Sequence, residues 1–236
     1  IDLMERAALK CFKWIQCKYD LSYTFYIFCG SGNNGGDGLA IARMLYLSKY
    51  KVYCYQIKLG KNFSNDFLEN KKRLETEVNS ISQIEQFPII KNKSEGIIID
   101  SILGSGLNRN ISGLLKEIIC KINQIEVEVV SIDIPSGLFS EDNSLNKIEG
   151  IIKAKYTLCF NSPKLSFVLP ENYQFVGEFH VLDIGLDRDF ISSLNSKYYY
   201  LTKDFFSNRL KFRKKFDHKG SFGNLLIVSG SKGMMG

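Results

Sequence analysis

Three apolar runs in this chain lack the in–out alternation of a strand with one wet face. They read YTFYIFC (23–29), GIIID (96–100) and KYTLCF (155–160). A strand of this kind is covered on both faces, which belongs to parallel sheets flanked by helices. The runs KVYCYQIKL (51–59), VEVVSIDIPSG (127–137) and GEFHVLDIG (177–185) read as further strands. Helical patterns lie between them, at 37–48, 64–79 and 113–123. The opening stretch is apolar at 3, 4, 7, 8, 11, 12 and 15, the stripe of an amphipathic helix. Strands alternating with helices predict an α/β fold. It is a Rossmann-like three-layer α/β/α sandwich with a mostly parallel central sheet, binding its ligand beyond the carboxyl ends of the strands.

The 236 residues suffice for one large domain and are marginal for two. Residues 1–186 read as that domain and 187–218 as a linker. Residues 219–236 start afresh, with a strand at 224–229 and a glycine-rich turn, as the beginning of a second domain. The first residue is Ile1 rather than Met, which implies residues upstream. No run is long and apolar enough to cross a bilayer, and no secretion signal opens the chain. The six cysteines form no C-x-x-C pair, and reduced thiols in a cytoplasm are the simplest reading. His180 and His218 are too far apart to suggest zinc. Of the net charge of +6, most sits between Arg209 and Lys219, where six cations face Asp217 alone. A cluster confined to a connector reads as a solvated segment rather than as a nucleic-acid footprint.

Three loops carry the chemistry. The first, CGSGNNGGDG (29–38), joins a strand to a helix and contains Gly30-x-Gly32-x-x-Gly35. In that context the pattern brings backbone close to a pyrophosphate and aims a helix N-terminus at it. The acid that an ordinary dehydrogenase carries at the end of its second strand is missing; Lys58 and Lys61 stand there instead. Asp37 is either a helix N-cap or a ligand-facing group. The second loop is DSILGSGLNRN (100–110), in which Arg109 is either a phosphate contact or a solvated arginine. The third is DIPSG (133–137), which is also ordinary turn chemistry. Together they bring Asn34, Asp100, Asp133 and Ser136 to the ends of neighbouring strands. Two carboxylates near one cleft repel unless a cation or a proton intervenes. An all-oxygen donor set suits a hard cation.

In order, GSGNNGGDGLAIARML, DSILGSGL, VVSIDIPSGL and KYTLCFNSPK resemble the NAD(P)H-hydrate epimerases, the YjeF N-terminal family. The resemblance covers about residues 1–185. It implies a Rossmann-like fold, often as a homodimer, that interconverts the R and S epimers of hydrated NADH or NADPH (NADHX and NADPHX). It implies substrate contacts from Asn33, Asn34, Gly35, Gly36 and Asp37, from Gly104, Ser105, Gly106, Leu107, Asn108, Arg109 and Asn110, and from Asp133. It further implies a potassium ion held by Asn34, Asp100 and Ser136. The segment HKGSFGNLLIVSGSKGMMG (218–236) looks like the start of the dehydratase domain that often follows, as in a bifunctional repair enzyme. The family's usual Phe-Gly-Thr-Gly is here Leu103-Gly104-Ser105-Gly106, which keeps the small residues and the hydroxyl.

Epimerisation breaks and remakes a bond at the hydrated carbon, by loss and return of water or by ring opening. Asp133 is the candidate acid/base, with Lys164 a weaker one. Two rivals remain: an ordinary NAD-linked oxidoreductase, and a non-catalytic nucleotide- or RNA-binding scaffold of the same fold. A scaffold has no need of the Asn34, Asp100, Asp133 and Ser136 set.

Overall fold

The computed structural model describes residues 1–57, 63–77, 81–84, 86–90, 94–207, 209 and 212–233. Lys58 and Lys61, which the sequence sets at the end of the second strand, lie outside the described residues, as does Lys211 of the basic cluster. The chain forms two compact units, residues 1–196 and 197–236.

The first unit begins with α1 (Asp2–Lys18), followed by β1 (Thr24–Cys29), α2 (Asn33–Leu47), β2 (Lys51–Ile57), α3 (Asn65–Glu77), β3 (Ile81–Ile84) and β4 (Gly96–Ser101). Then come α4 (Gly113–Gln124), β5 (Glu128–Ile132), β6 (Tyr156–Phe160), the single-turn α5 (Tyr173–Val176), β7 (Glu178–Leu182) and α6 (Arg188–Ser193). The strands form one sheet in the order β3-β2-β1-β4-β5-β6-β7, with parallel pairing throughout. The expected Rossmann-like sandwich is present.

The period-free runs are explained by burial on both faces. Successive residues of β1 point to opposite cores. Phe25, Ile27 and Cys29 join Ile15 of α1, Leu39, Ile41 and Leu45 of α2, and Phe67 of α3. Tyr26 and Phe28 join Ile118, Ile119 and Ile122 of α4. In β4, Ile97 and Ile99 go one way and Ile98 the other. Each buried isoleucine contributes roughly 1.5–3 kcal/mol relative to exposure.

Four sequence expectations need correction. The second helix starts at Asn33 rather than Asp37, because Gly32 serves as its N-cap and the Gly36 amide already donates to the Gly32 carbonyl at 3.1 Å. Asp37 is therefore inside the helix and not its cap. The strand expected over 127–137 ends at Ile132, because Asp133 takes the left-handed conformation (φ +66°) that a strand cannot continue through. The short edge strand β3 has no expected counterpart. In the second unit, the expected strand at 224–229 does not form, and Leu225, Leu226, Ile227 and Val228 are all exposed. A strand needs neighbours for its backbone hydrogen bonds, and none pairs with this segment among the described residues. That unit otherwise holds the short helix α7 (Lys203–Ser207) and a 3-10 turn at Lys219–Phe222. Of its basic cluster, Arg209, Arg213, Lys214 and Lys215 are exposed.

The sheet order fixes where a ligand can sit. From β1 the chain winds outward through β2 to β3, then returns to the other side of β1 as β4. The crevice beyond Cys29 and Ser101 is thus the topological switch point.

Candidate active site

At that crevice lies a cleft of about 820 Å³. The α2 N-terminus supplies Ser31, Gly32, Asn33, Asn34 and Asp37 to its wall. The loop after β4 supplies Ile102 through Arg109, and the ends of β5 and β6 supply Asp133 and Phe160. The first turn of α2 leaves amide N–H groups without intrahelical acceptors, and its N-cap Gly32 has no side chain to cap them.

Two glycines set the distance between loop and helix. A Cβ on Gly30 would lie 1.9 Å from the Ile102 carbonyl oxygen, and one on Gly35 would lie 2.1 Å from the Gly30 oxygen. Both positions exclude a side chain through backbone contact. Gly35 and Gly36 do not line the cleft; a Cβ on Gly36 would meet the Met4 sulfur of α1 at 2.8 Å. Their part in the site is to let α2 close on its surroundings.

Asp100 is fully buried at the end of β4. Its Oδ1 accepts from the Ser136 hydroxyl at 2.5 Å and the Ile102 amide at 3.3 Å. Its Oδ2 accepts from the Ser131 hydroxyl at 2.7 Å and the Ser136 amide at 2.8 Å. Burial raises its pKa, and the Ser136 bonds are the largest of those working against that rise. Ser136 Oγ also accepts from the Leu103 amide at 2.9 Å. Asn34 reaches the same strand ends: its Nδ2 donates to the carbonyls of Leu103 at 2.8 Å and Ile132 at 3.1 Å. Its Oδ1 is buried and accepts nothing among the described residues. Asn34, Asp100 and Ser136 therefore converge about the Leu103 peptide. They offer amide, carboxylate and hydroxyl oxygens, one of them with unused acceptor capacity. That donor chemistry fits a hard cation of low charge.

Asp133 sits at the mouth of β5 in its left-handed conformation, a strain of the sort concentrated at functional sites. Its Oδ1 receives Lys164 Nζ at 2.7 Å and its Oδ2 the Ser105 amide at 3.1 Å. Both partners of the ion pair are mostly buried, at 17% and 16% side-chain exposure. Asp37, also on the cleft wall, is 9% exposed. It has no hydrogen-bond or ion-pair partner among the described residues. Burial raises its pKa well above the ordinary value for an aspartate, and Asp133 and Asp66 raise it further.

The second loop divides its tasks. Gly104, Ser105, Gly106, Leu107, Asn108 and Arg109 face the cleft. Arg109 and Leu107 also border an adjoining hollow of about 520 Å³ with Ile111, Ser112 and Leu115. Asn110 borders that hollow too, and its amide pins the 145–147 turn, accepting from the Lys147 amide at 2.8 Å. Sequence reasoning missed Phe160 and Leu3 on the wall. Phe160 was legible as the last residue of its strand; for Leu3, on the stripe of α1, no signal existed.

Fold and cleft together define a Rossmann-like α/β protein with a nucleotide-type glycine loop and a carboxylate–lysine pair at its switch point. The model of the YjeF-related protein N-terminus matches residues 1–166, and the chain belongs to that family. It is 32% identical over 235 residues to the bifunctional NAD(P)H-hydrate repair enzyme Nnr of Dictyoglomus turgidum, covering 98% of this chain and 45% of that protein. It is 32% identical over 189 residues to the NAD(P)H-hydrate epimerase of Oenococcus oeni, covering 78% of this chain and 85% of that one. The chain spans about half the length of the bifunctional relatives it matches. The crystal structure of the yeast protein ynu0 (YNL200c) shares the fold, with a TM-score of 0.62, 20% identity and coverage of 86% and 87% of the two chains. Among the described residues no helix is long and apolar enough to cross a membrane.

Proposed function

We propose that this chain is an NAD(P)H-hydrate epimerase, an isomerase that interconverts the R and S forms of hydrated NADH or NADPH. The observation that carries the reading is Asp133. It is clamped by Lys164 and the Ser105 amide on the wall of a cleft entered by the α2 N-terminus. The names of the relatives support this reading over that of a scaffold, which would have no use for a strained carboxylate so held.

In this reading the free amides of α2 and the glycine loop take the pyrophosphate. Asn33, Asn34 and Asp37 face the hydrated nicotinamide ring. Asp133, ion-paired with Lys164 on the cleft wall, serves as the base of the reaction. Asn34, Asp100 and Ser136 would hold a potassium ion, which would supply a fixed positive charge beside the buried Asp100. The same reading assigns residues 219–236 to the start of a dehydratase domain and makes the active form a homodimer.

The test supplies the R epimer of hydrated NADPH and follows the S epimer by chromatography, in potassium and in sodium. Conversion well above the spontaneous rate, lost in Asp133→Asn, is expected, with a higher rate in potassium. A folded protein that binds the nucleotide without accelerating its epimerisation would favour the scaffold.

A further inference from the structure

The site as described has a base and lacks an acid. The hydroxyl that leaves the hydrated ring carbon must depart as water, and so needs a proton. Lys164 is committed to Asp133. Among the described residues, one other titratable group on the cleft wall is buried and unengaged. Asp37 lies one turn into α2 on the cleft wall, and no donor reaches it among the described residues.

We propose that Asp37 is the acid of the reaction: its carboxyl gives its proton to the departing hydroxyl while Asp133 takes the proton of the returning water. The inference rests on the epimerase reading and assigns the second half of its chemistry. The surroundings of Asp37 favour the neutral form from every side described. Asp66 of α3 and Asp133 face it with negative charge, and the buried Cys11 of α1 brings a neutral thiol. Two carboxyls in one site, one paired with Lys164 and one buried without a donor among the described residues, make an acid–base pair.

The step balances. The carbon–oxygen bond breaks with its electrons going to oxygen, which leaves as water carrying the Asp37 proton. The lone pair of the adjacent ring nitrogen forms a C=N bond. Water then adds to the opposite face, the C=N electrons return to nitrogen, and the surplus proton passes to Asp133. One water leaves and one enters, and nothing is oxidised or reduced. The enzyme ends with Asp37 ionised and Asp133 protonated, which is the starting state for the reverse epimerisation. Proton exchange with solvent resets it.

Two measurements test this. The first compares Asp37→Asn and Asp37→Glu with the unaltered chain across pH. A general acid contributes about 10²–10⁴ in rate. Asp37→Asn should thus lose at least about 100-fold in kcat with KM changed less than about threefold, and Asp37→Glu should recover part of the loss. In the unaltered chain kcat/KM should fall on the alkaline side as Asp37 loses its proton, a limb absent from the asparagine variant. The second follows the carboxyl carbons of the unaltered chain by NMR against pH, and needs no variant to fold and no turnover. Asp37 should titrate at higher pH than the surface carboxylates. An Asp37 that titrates with the surface carboxylates, or an asparagine variant that keeps kcat and changes KM alone, would overturn the proposal and leave Asp37 a substrate-binding group only. If the unaltered chain does not epimerise at all, the functional reading itself fails, whatever Asp37 does.

Discussion

The Ser136→Ala substitution isolates the hydrogen-bond junction beneath the site. Ser136 Oγ donates to Asp100 Oδ1 at 2.5 Å and accepts from the Leu103 amide at 2.9 Å. Alanine removes both. A hydrogen bond to a charged group is worth about 1.5–3 kcal/mol, and an amide left without an acceptor costs about 1–3 kcal/mol. Asp100 keeps the Ser136 amide, the Ser131 hydroxyl and the long Ile102 bond, so it is weakened rather than abandoned. The loss should be about 3–4 kcal/mol. For a unit of this size, each kcal/mol shifts Tm by roughly 2–4 °C, which gives a fall of about 10 °C. The sole tryptophan, Trp14, packs against Tyr156 and His180 of the first unit, so its fluorescence reports that unit alone in a urea titration. Ser144→Ala is the control. Its hydroxyl bonds an exposed Asp142, and the change should stay within about 0.5 kcal/mol. A Ser136→Ala loss below about 1 kcal/mol would refute the junction as drawn.

Gly35→Ala should fail by backbone collision, since its Cβ would lie 2.1 Å from the Gly30 oxygen and no flexible side chain stands there to yield. A destabilisation beyond about 3 kcal/mol is expected by urea titration, and a loss under about 1 kcal/mol would show that α2 and the loop are not so closely set. Arg109 is exposed on the cleft rim, so Arg109→Ala should leave stability unchanged. If it meets a substrate phosphate, KM should rise about tenfold, or about 1.4 kcal/mol, with kcat unaltered; an unchanged KM would return Arg109 to solvent.

The sheet was legible in the sequence because two-sided burial leaves its mark residue by residue. GIIID has no polar face to spare, and Ile97, Ile98 and Ile99 duly divide between two cores. The start of α2 was not legible. Asn33-Asn34-Gly35-Gly36 has the composition of a turn, and its helical state depends on packing against Gly30 and Met4, which local propensity does not contain. The strand ends placed Asp100, Asp133 and Ser136 together, since parallel topology puts successive carboxyl ends on one side of the sheet. The role of Lys164 could not be read that way. It reaches Asp133 across 31 residues from a loop whose path follows from no periodicity. The same holds for Asp37, which no donor approaches among the described residues.

Asp37 and Asp100 are both buried carboxyls with raised pKa values, yet the fold treats them oppositely, and asparagine separates the two cases. A carboxyl whose folded pKa lies above its unfolded value adds stability that is whole below the ordinary carboxylate value and is lost as pH climbs toward the raised one. For Asp37 no donor among the described residues holds its oxygens to offset that loss. Asp37→Asn is neutral at every pH and nearly the same shape. It should unfold at the same urea concentration as the unaltered chain below about pH 4 and at a higher one at pH 7. Asp100 accepts four hydrogen bonds from serines and amides, and an asparagine amide nitrogen facing those donors cannot accept them. Asp100→Asn should therefore be less stable at pH 7 despite removing a buried charge. A site residue retained at the expense of stability is the mark of selection for chemistry. Finding Asp37→Asn less stable than the unaltered chain at pH 7 would mean that Asp37 has an unseen structural partner, and would move it from the reaction to the scaffold.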